Sequence, residues 1–168
     1  MMETSDNTAT NQCIGMVSMA RVNRSLDEMG FLNTRLRRIM MDTPAARRDE
    51  ENVSTPNEMV HLVERLHRGT VIDPESSREI LDIMKLVKAS FRKAVPGTVE
   101  VAAKPGNVSG VNCETGIIYL PNRPFALSVM TVFVPSDEKA DTVESVARIV
   151  YQYFERLSKS NRFGHRTE

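Results

Sequence analysis

Pro96-Gly97-Thr98-Val99-Glu100-Val101-Ala102-Ala103-Lys104 marks the point where the periodicity of the chain changes. From there, Val99 to Lys104, Gly116 to Leu120 and Phe125 to Val134 are short β-rich runs separated by Gly, Asn and Pro turns. That pattern predicts three sequential antiparallel strands. Beyond them, Glu138 to Ser158 returns to a helical period, with Val146, Ile149, Val150, Tyr153, Phe154 and Leu157 making one apolar face. The resulting order is an α+β arrangement: a helical half over 1–95, three antiparallel strands and a C-terminal helix over 96–160, and a frayed tail over 161–168.

In the helical half, two helices are expected between Thr8 and Gly30. The second carries Val22, Leu26 and Met29 at i, i+4 and i+7, and Gly30 suits the left-handed position just past its end. Asn33 to Val53 has no sustained period, is rich in Arg, Asp and Glu, and contains Thr43-Pro44. It reads as a long ordered loop with one helical turn, and loops of this length usually serve function. Thr55-Pro56-Asn57-Glu58 then opens a helix, with Thr55 as N-cap, Pro56 at the first helical position and Glu58 completing a capping box. Its expected buried stripe is Met59, Val60, Leu62, Val63 and Leu66, and Gly69 ends it. Asp73-Pro74 starts a further helix in the same way, turning Ile80, Leu81, Met84 and Val87 toward a core.

Composition removes several function classes. A chain of 168 residues, 40% hydrophobic and 26% charged, is ordinary globular composition and long enough to bury a core. Lys plus Arg equals Asp plus Glu at 22 each, so no net field gathers nucleic acid or an anionic membrane. The cluster Arg35-Leu36-Arg37-Arg38 is local, and Arg47-Arg48 is followed at once by Asp49, Glu50 and Glu51. Phe125 to Val134, the longest apolar stretch, is too short to span a bilayer. Met1-Met2-Glu3-Thr4 lacks the basic and apolar regions of an export signal, so the chain as written is expected to stay in the cytoplasm. Cys13 and Cys113 lack metal-ligand spacing and read as small buried or half-buried fillers, as the ten methionines read as gap-fillers. His61 and His67 lie roughly 600° apart around one helix and cannot chelate one metal. No metal and no cofactor are expected.

The chemistry sits in two short motifs, Ser5-Asp6-Asn7 and Lys104-Pro105-Gly106. Alone, the first reads equally well as a serine N-cap with side-chain turns. The longer run Ser5-Asp6-Asn7-Thr8-Ala9-Thr10-Asn11 carries more weight. With Arg35-Leu36, Met40-Met41-Asp42, Glu51-Asn52, Thr55-Pro56, Ala102-Ala103-Lys104 and Gly116-Ile117-Ile118-Tyr119 in the same order, the chain resembles class A β-lactamases. It is more similar still to the β-lactamase-related serine hydrolases grouped with them in the penicillin-binding-protein superfamily.

The resemblance implies a β-lactamase/transpeptidase-like fold and acyl-enzyme hydrolysis of a small β-lactam-like substrate, or a related amide or ester, by a periplasmic or secreted protein without a cofactor. In that scheme Ser5 would relay a proton to the departing lactam nitrogen, and Asn7 would hydrogen-bond the substrate's side-chain amide. Lys104 would hold the Ser5 hydroxyl and attract the substrate carboxylate, a task for a point charge. Gly106 would let substrate lie close to the strand, and the backbone N–H of Asn107 would be one oxyanion donor. The family's first motif, Ser-x-x-Lys, precedes the second, and none stands before Ser5. The resemblance therefore implies a portion that lacks the nucleophile, and a sheet of three strands where the family has five. The third strand and the last helix would then expose apolar faces, through which the chain would self-associate or meet the missing N-terminal half.

Two departures bear on activity. Met40 stands where lactamases of the family carry the glutamate that activates the deacylating water, and a thioether is no base. Pro105 replaces a threonine, removing a hydroxyl and a backbone donor, and is tolerable only on an edge strand. Ser90-Phe91-Arg92-Lys93 and Ser136-Asp137-Glu138-Lys139 both spell Ser-x-x-Lys but follow Ser5, against the family order. Three readings result: a hydrolase portion inactive as this chain alone, a degenerate relative that binds a ligand or partner without catalysis, and a helical interaction module in which the motifs are incidental.

Overall fold

Strands β1 (Val101–Val108), β2 (Val111–Ile118) and β3 (Phe125–Val132) form an antiparallel sheet in the order β1-β2-β3. They belong to a computed structural model that describes residues 1–133, 139–161 and 164–166. The chain divides into two compact units, Met1–Met59 and Val60–Glu168.

The first unit holds α1 (Asn7–Val17), α2 (Met19–Glu28), the short α3 (Thr43–Arg47) and the start of α4 (Pro56–His67). Each entry into a helix has a side-chain cap. Asp6 accepts from the N–H of Ala9 at 2.6 Å, Ser18 from Arg21 at 3.3 Å, Asp42 from Ala45 at 3.0 Å and Thr55 from Glu58 at 3.2 Å. Gly30 takes φ +80° after α2, as its position predicts. Between α2 and α4 the chain forms the expected long loop, closed at its base by reciprocal backbone bonds between Arg35 and Val53. Neither α1 nor α2 has a buried residue, so Cys13 is exposed rather than the filler its composition class predicts.

The second unit continues α4 and adds α5 (Pro74–Leu86), a 3-10 turn at Ser90–Ala94, the sheet and α6 (Lys139–Ser158). Along α4 the predicted stripe buries Val63 and Leu66, and along the next segment Leu81, Met84 and Val87 are buried as expected. Alternation divides the sheet into two faces. One carries Val101, Ala103, Ile118, Phe125 and Val129 into a core completed by Phe91 and Ala94 of the turn and by Val143, Ala147 and Tyr151 of α6. Phe91 has no exposed surface.

Register explains why β1 and β2 are longer than predicted. β1 runs on through Pro105, Gly106 and Asn107, and β2 begins at Val111, so Lys104 lies inside a strand rather than at its end. Pro and Gly look like a strand terminus in sequence, yet Pro105 needs no partner for its missing N–H when, among the described residues, β2 alone pairs with its strand. At Gly116, a Cβ would fall 2.3 Å from the carbonyl oxygen of Ala102 and 2.6 Å from Cβ of Ala103. Only glycine permits this β1–β2 approach.

The predicted ends of the third strand at Val134 and of the last helix at Glu138 lie outside the described residues, as do Ser136 and Asp137. Within the tail, expected to fray, the N–H of Asn161 donates to the carbonyl of His165 at 2.8 Å and Ser160 bridges Arg166. Local backbone bonds that composition does not announce fold it back.

Candidate active site

Ser5 has φ +56°, a left-handed conformation uncommon for a residue with a Cβ. Its neighbour explains how that backbone is held. Asp6 caps α1, and the hydroxyl of Thr10 returns to the Asp6 carbonyl at 2.7 Å. Asn7 is the first residue of that helix rather than a loop residue, and Ser5, Asp6 and Asn7 are all exposed. The tripeptide is thus a loop-to-helix junction whose middle residue is structural and whose outer two face solvent.

The long loop of the same unit is fastened by asparagines. Asn11 accepts from the N–H of Met40 at 2.7 Å and donates to its carbonyl at 3.0 Å. Asn23 does the same for Leu36, at 2.9 Å in both directions. Asn52 accepts from the N–H groups of Arg37 and Arg38 at 2.8 and 3.0 Å. Each amide satisfies backbone that the loop's lack of regular structure would leave unpaired. Glu58 completes the fastening, and here the expected capping box is corrected. Its carboxylate accepts from the N–H and side chain of Asn33 and from the Thr34 hydroxyl, at 2.9, 2.8 and 2.6 Å, and so joins loop to helix instead of closing on Thr55. Burial pushes the Glu58 carboxyl up, but these donors outweigh it and hold it below its ordinary value. Met40 is half-buried, and the nearby Asp42 is engaged in capping α3.

In the second unit, β1 carries Lys104, Gly106 and Asn107 consecutively with Pro105. Lys104 is half-buried and its Nζ donates to the Pro105 carbonyl at 2.7 Å. Burial holds the ammonium below the usual lysine range, opposed by the charge of Glu114. Lys104 pairs in register with Thr115, which pairs with Ser128, and the two hydroxyls are 2.7 Å apart. A polar row therefore crosses the sheet on the face bearing Lys104. Gly106 pairs with Cys113, whose half-buried thiol is pushed up by burial.

The carboxylate of Glu114 is no candidate in the sequence, because it falls in the turn expected before the strand at Gly116 to Leu120. It is 1% exposed. Its oxygens accept from the N–H groups of Ser90 and Phe91 at 2.8 and 2.7 Å, capping the 3-10 turn from a distant strand. Burial raises its pKa, against the pull of those two N–H groups, the Ser90 hydroxyl and Lys104. Ser90 is thus committed to Glu114 while Lys93 is exposed, which does not prepare this Ser-x-x-Lys as a nucleophile. His61 lies beside Glu64 and His67 against the ring of Tyr119, and no group of metal-ligating side chains occurs among the described residues.

Comparison with known proteins fits this arrangement of motifs. The profile of the β-lactamase enzyme family matches residues 1–154. The chain belongs to that family. No curated protein matches it. Among solved structures, PBP-A is 27% identical with a TM-score of 0.82, covering 92% of this chain and 58% of its own. A β-lactamase from Sphaerobacter thermophilus is 26% identical, with a TM-score of 0.83, covering 90% of this chain and 59% of its own. A class A β-lactamase from Mycobacterium abscessus shares the fold at a TM-score of 0.82 and 24% identity, with 92% and 62% covered. A variant of PBP-A is known as an acyl-enzyme complex with penicillin G. The α+β fold of this β-lactamase-family chain is therefore shared with these proteins, and the chain spans about three fifths of their length.

Proposed function

We propose that these residues form the proton-relay and substrate-holding portion of a serine β-lactamase-like hydrolase. Ser5 relays the proton to the leaving nitrogen, and Asn7 binds the substrate's side-chain amide. Lys104 attracts the substrate carboxylate, Gly106 gives close approach to β1, and the Asn107 N–H stabilises the oxyanion. The acylating Ser-x-x-Lys is supplied by polypeptide outside these 168 residues, so the chain by itself forms no acyl-enzyme. The observation that carries this reading is Lys104, half-buried on an edge strand of a fold shared with penicillin-binding and lactamase relatives.

Mass spectrometry after exposure to labelled penicillin G provides the test. A longer product of the same gene that contains the first motif should gain one adduct on its serine, and these residues alone should gain none. An adduct on Ser90 or Ser136 would overturn the assignment. The second reading, a relative that binds without turnover, is favoured by Met40, which is tied to Asn11 at a position where lactamases need a carboxylate. Under it, the longer protein holds penicillin, as a saturable complex or a lasting adduct, and releases no hydrolysed product.

A further inference from the structure

Two edges bound the sheet, and they differ. β1 carries Lys104 and Pro105, and a proline has no N–H with which to extend a ladder. β3 reads Phe125-Ala126-Leu127-Ser128-Val129-Met130-Thr131-Val132, without charge or proline, and among the described residues β2 alone pairs with it. A bare edge of that kind is a template for a further strand.

Helix α6 leaves its apolar surface on the same side. Its Arg148 reaches the carbonyl of Lys93 in the 3-10 turn at 3.5 Å, and Arg92 of that turn donates to Val101, the first residue of β1. At roughly 100° per residue, the exposed Val146, Ile149 and Tyr153 fall on the other flank of the buried Val143 and Ala147 from Arg148. That flank is the β3 flank. Phe154 stacks on Phe125 of β3 with ring centroids 4.4 Å apart, and Tyr153 meets Phe154 edge-on. The open edge and the uncovered stripe therefore adjoin.

We propose that a second copy of this chain docks at the β3 edge: the two β3 strands pair antiparallel about a two-fold axis normal to the sheet, and the two α6 stripes meet on one face of it. Such an axis keeps each face on its own side, so Phe125, Leu127 and Val129 stay on the core side in both copies. Any register it allows sets one β3 residue opposite itself. Self-pairing requires a strand that does not repel its own image, and an uncharged strand in a chain of zero net charge meets that condition. Each copy covers the other's edge and stripe together. Pro105 on both outer edges then stops growth at six strands.

The test combines light scattering of the 168-residue chain with a cysteine scan of β3. In a background with Cys13→Ser and Cys113→Ser, single cysteines are placed at 126 to 130 and oxidised. The chain should reach twice its monomer mass and no more, and the cysteine on the axis should give a covalent dimer, since opposed residues of antiparallel strands lie about 4.5–5.5 Å apart. Asn107→Cys on β1 should give none. A monomer, growth beyond the dimer, or a dimer that no β3 cysteine traps would each overturn the proposal. Where the core-side variants fail to fold, Ala126→Cys, Ser128→Cys and Met130→Cys, on the opposite face, are read with the mass of the unsubstituted chain. The trapped cysteine is then carried into the longer product of the gene. Crosslinking there keeps the second copy as occupant, and a monomer without crosslink gives the edge to that product's own polypeptide and overturns it.

Discussion

Gly116 and Gly106 show how two glycines on one sheet divide between fold and function. Gly116→Ala drives a methyl into the Ala102 carbonyl and Ala103, backbone and side chain that cannot step aside, and should destabilise by about 1–3 kcal/mol or more in denaturant melts. Gly106→Ala meets only Cβ of Cys113, at 4.0 Å, an ordinary contact. Its stability should change by no more than about 0.5 kcal/mol, while penicillin labelling of the longer protein should fall as substrate is lifted from β1. Equal loss of stability in both variants would remove that distinction. The two buried carboxylates should respond to acid in opposite directions. Glu58, held below its ordinary value, contributes stability that is present above about pH 4.5 and is lost as pH falls through its folded pKa. Glu114, raised by burial, favours the folded state on the acid side and loses that contribution as pH rises from about 4.5 through its folded pKa. Melts across that range should show wild type losing ground to Glu58→Gln on acidification and gaining on Glu114→Gln. Neither behaviour is legible in sequence, because Glu58 looks like a capping-box partner and Glu114 like a turn residue until distant segments supply their donors.

Among the elements, the long loop is ordered by contacts rather than by propensity. Asn11→Ala removes both partners of the Met40 backbone and should cost about 1–3 kcal/mol if those groups stay unpaired. Limited trypsin digestion reads this directly, since Arg37, Arg38, Arg47 and Arg48 all lie in the loop. Faster cleavage there in the variant is expected, and unchanged cleavage would show that Asn23, Asn52 and Glu58 suffice. Helices α4 and α5 were legible because Thr55-Pro56 and Asp73-Pro74 state their starts locally. The full lengths of β1 and β2 were not, because Pro105 and Gly106 are poor strand formers that only cross-strand pairing retains.

At the scale of the molecule, apolar surface remains uncovered. Val146, Ile149 and Tyr153 recur along one side of α6 and are 36%, 67% and 52% exposed, and Phe133, just past β3, is 93% exposed. Patches of this kind drive association. Light scattering should show the chain's mass rising with concentration, and Ile149→Lys should reduce the effect; a monomer melting in one sharp transition at all concentrations would contradict this. Local sequence by itself determined the helix starts and the three strands and their order, because capping, periodicity and turn chemistry act over a few neighbours. Only the tertiary structure decided that asparagines fasten the loop at Met40 and Leu36, and that a buried Glu114 clamps the turn on the opposite face of the sheet from Lys104. These depend on partners up to 29 residues away, as for Asn11 and Met40, and no local pattern encodes where such partners meet.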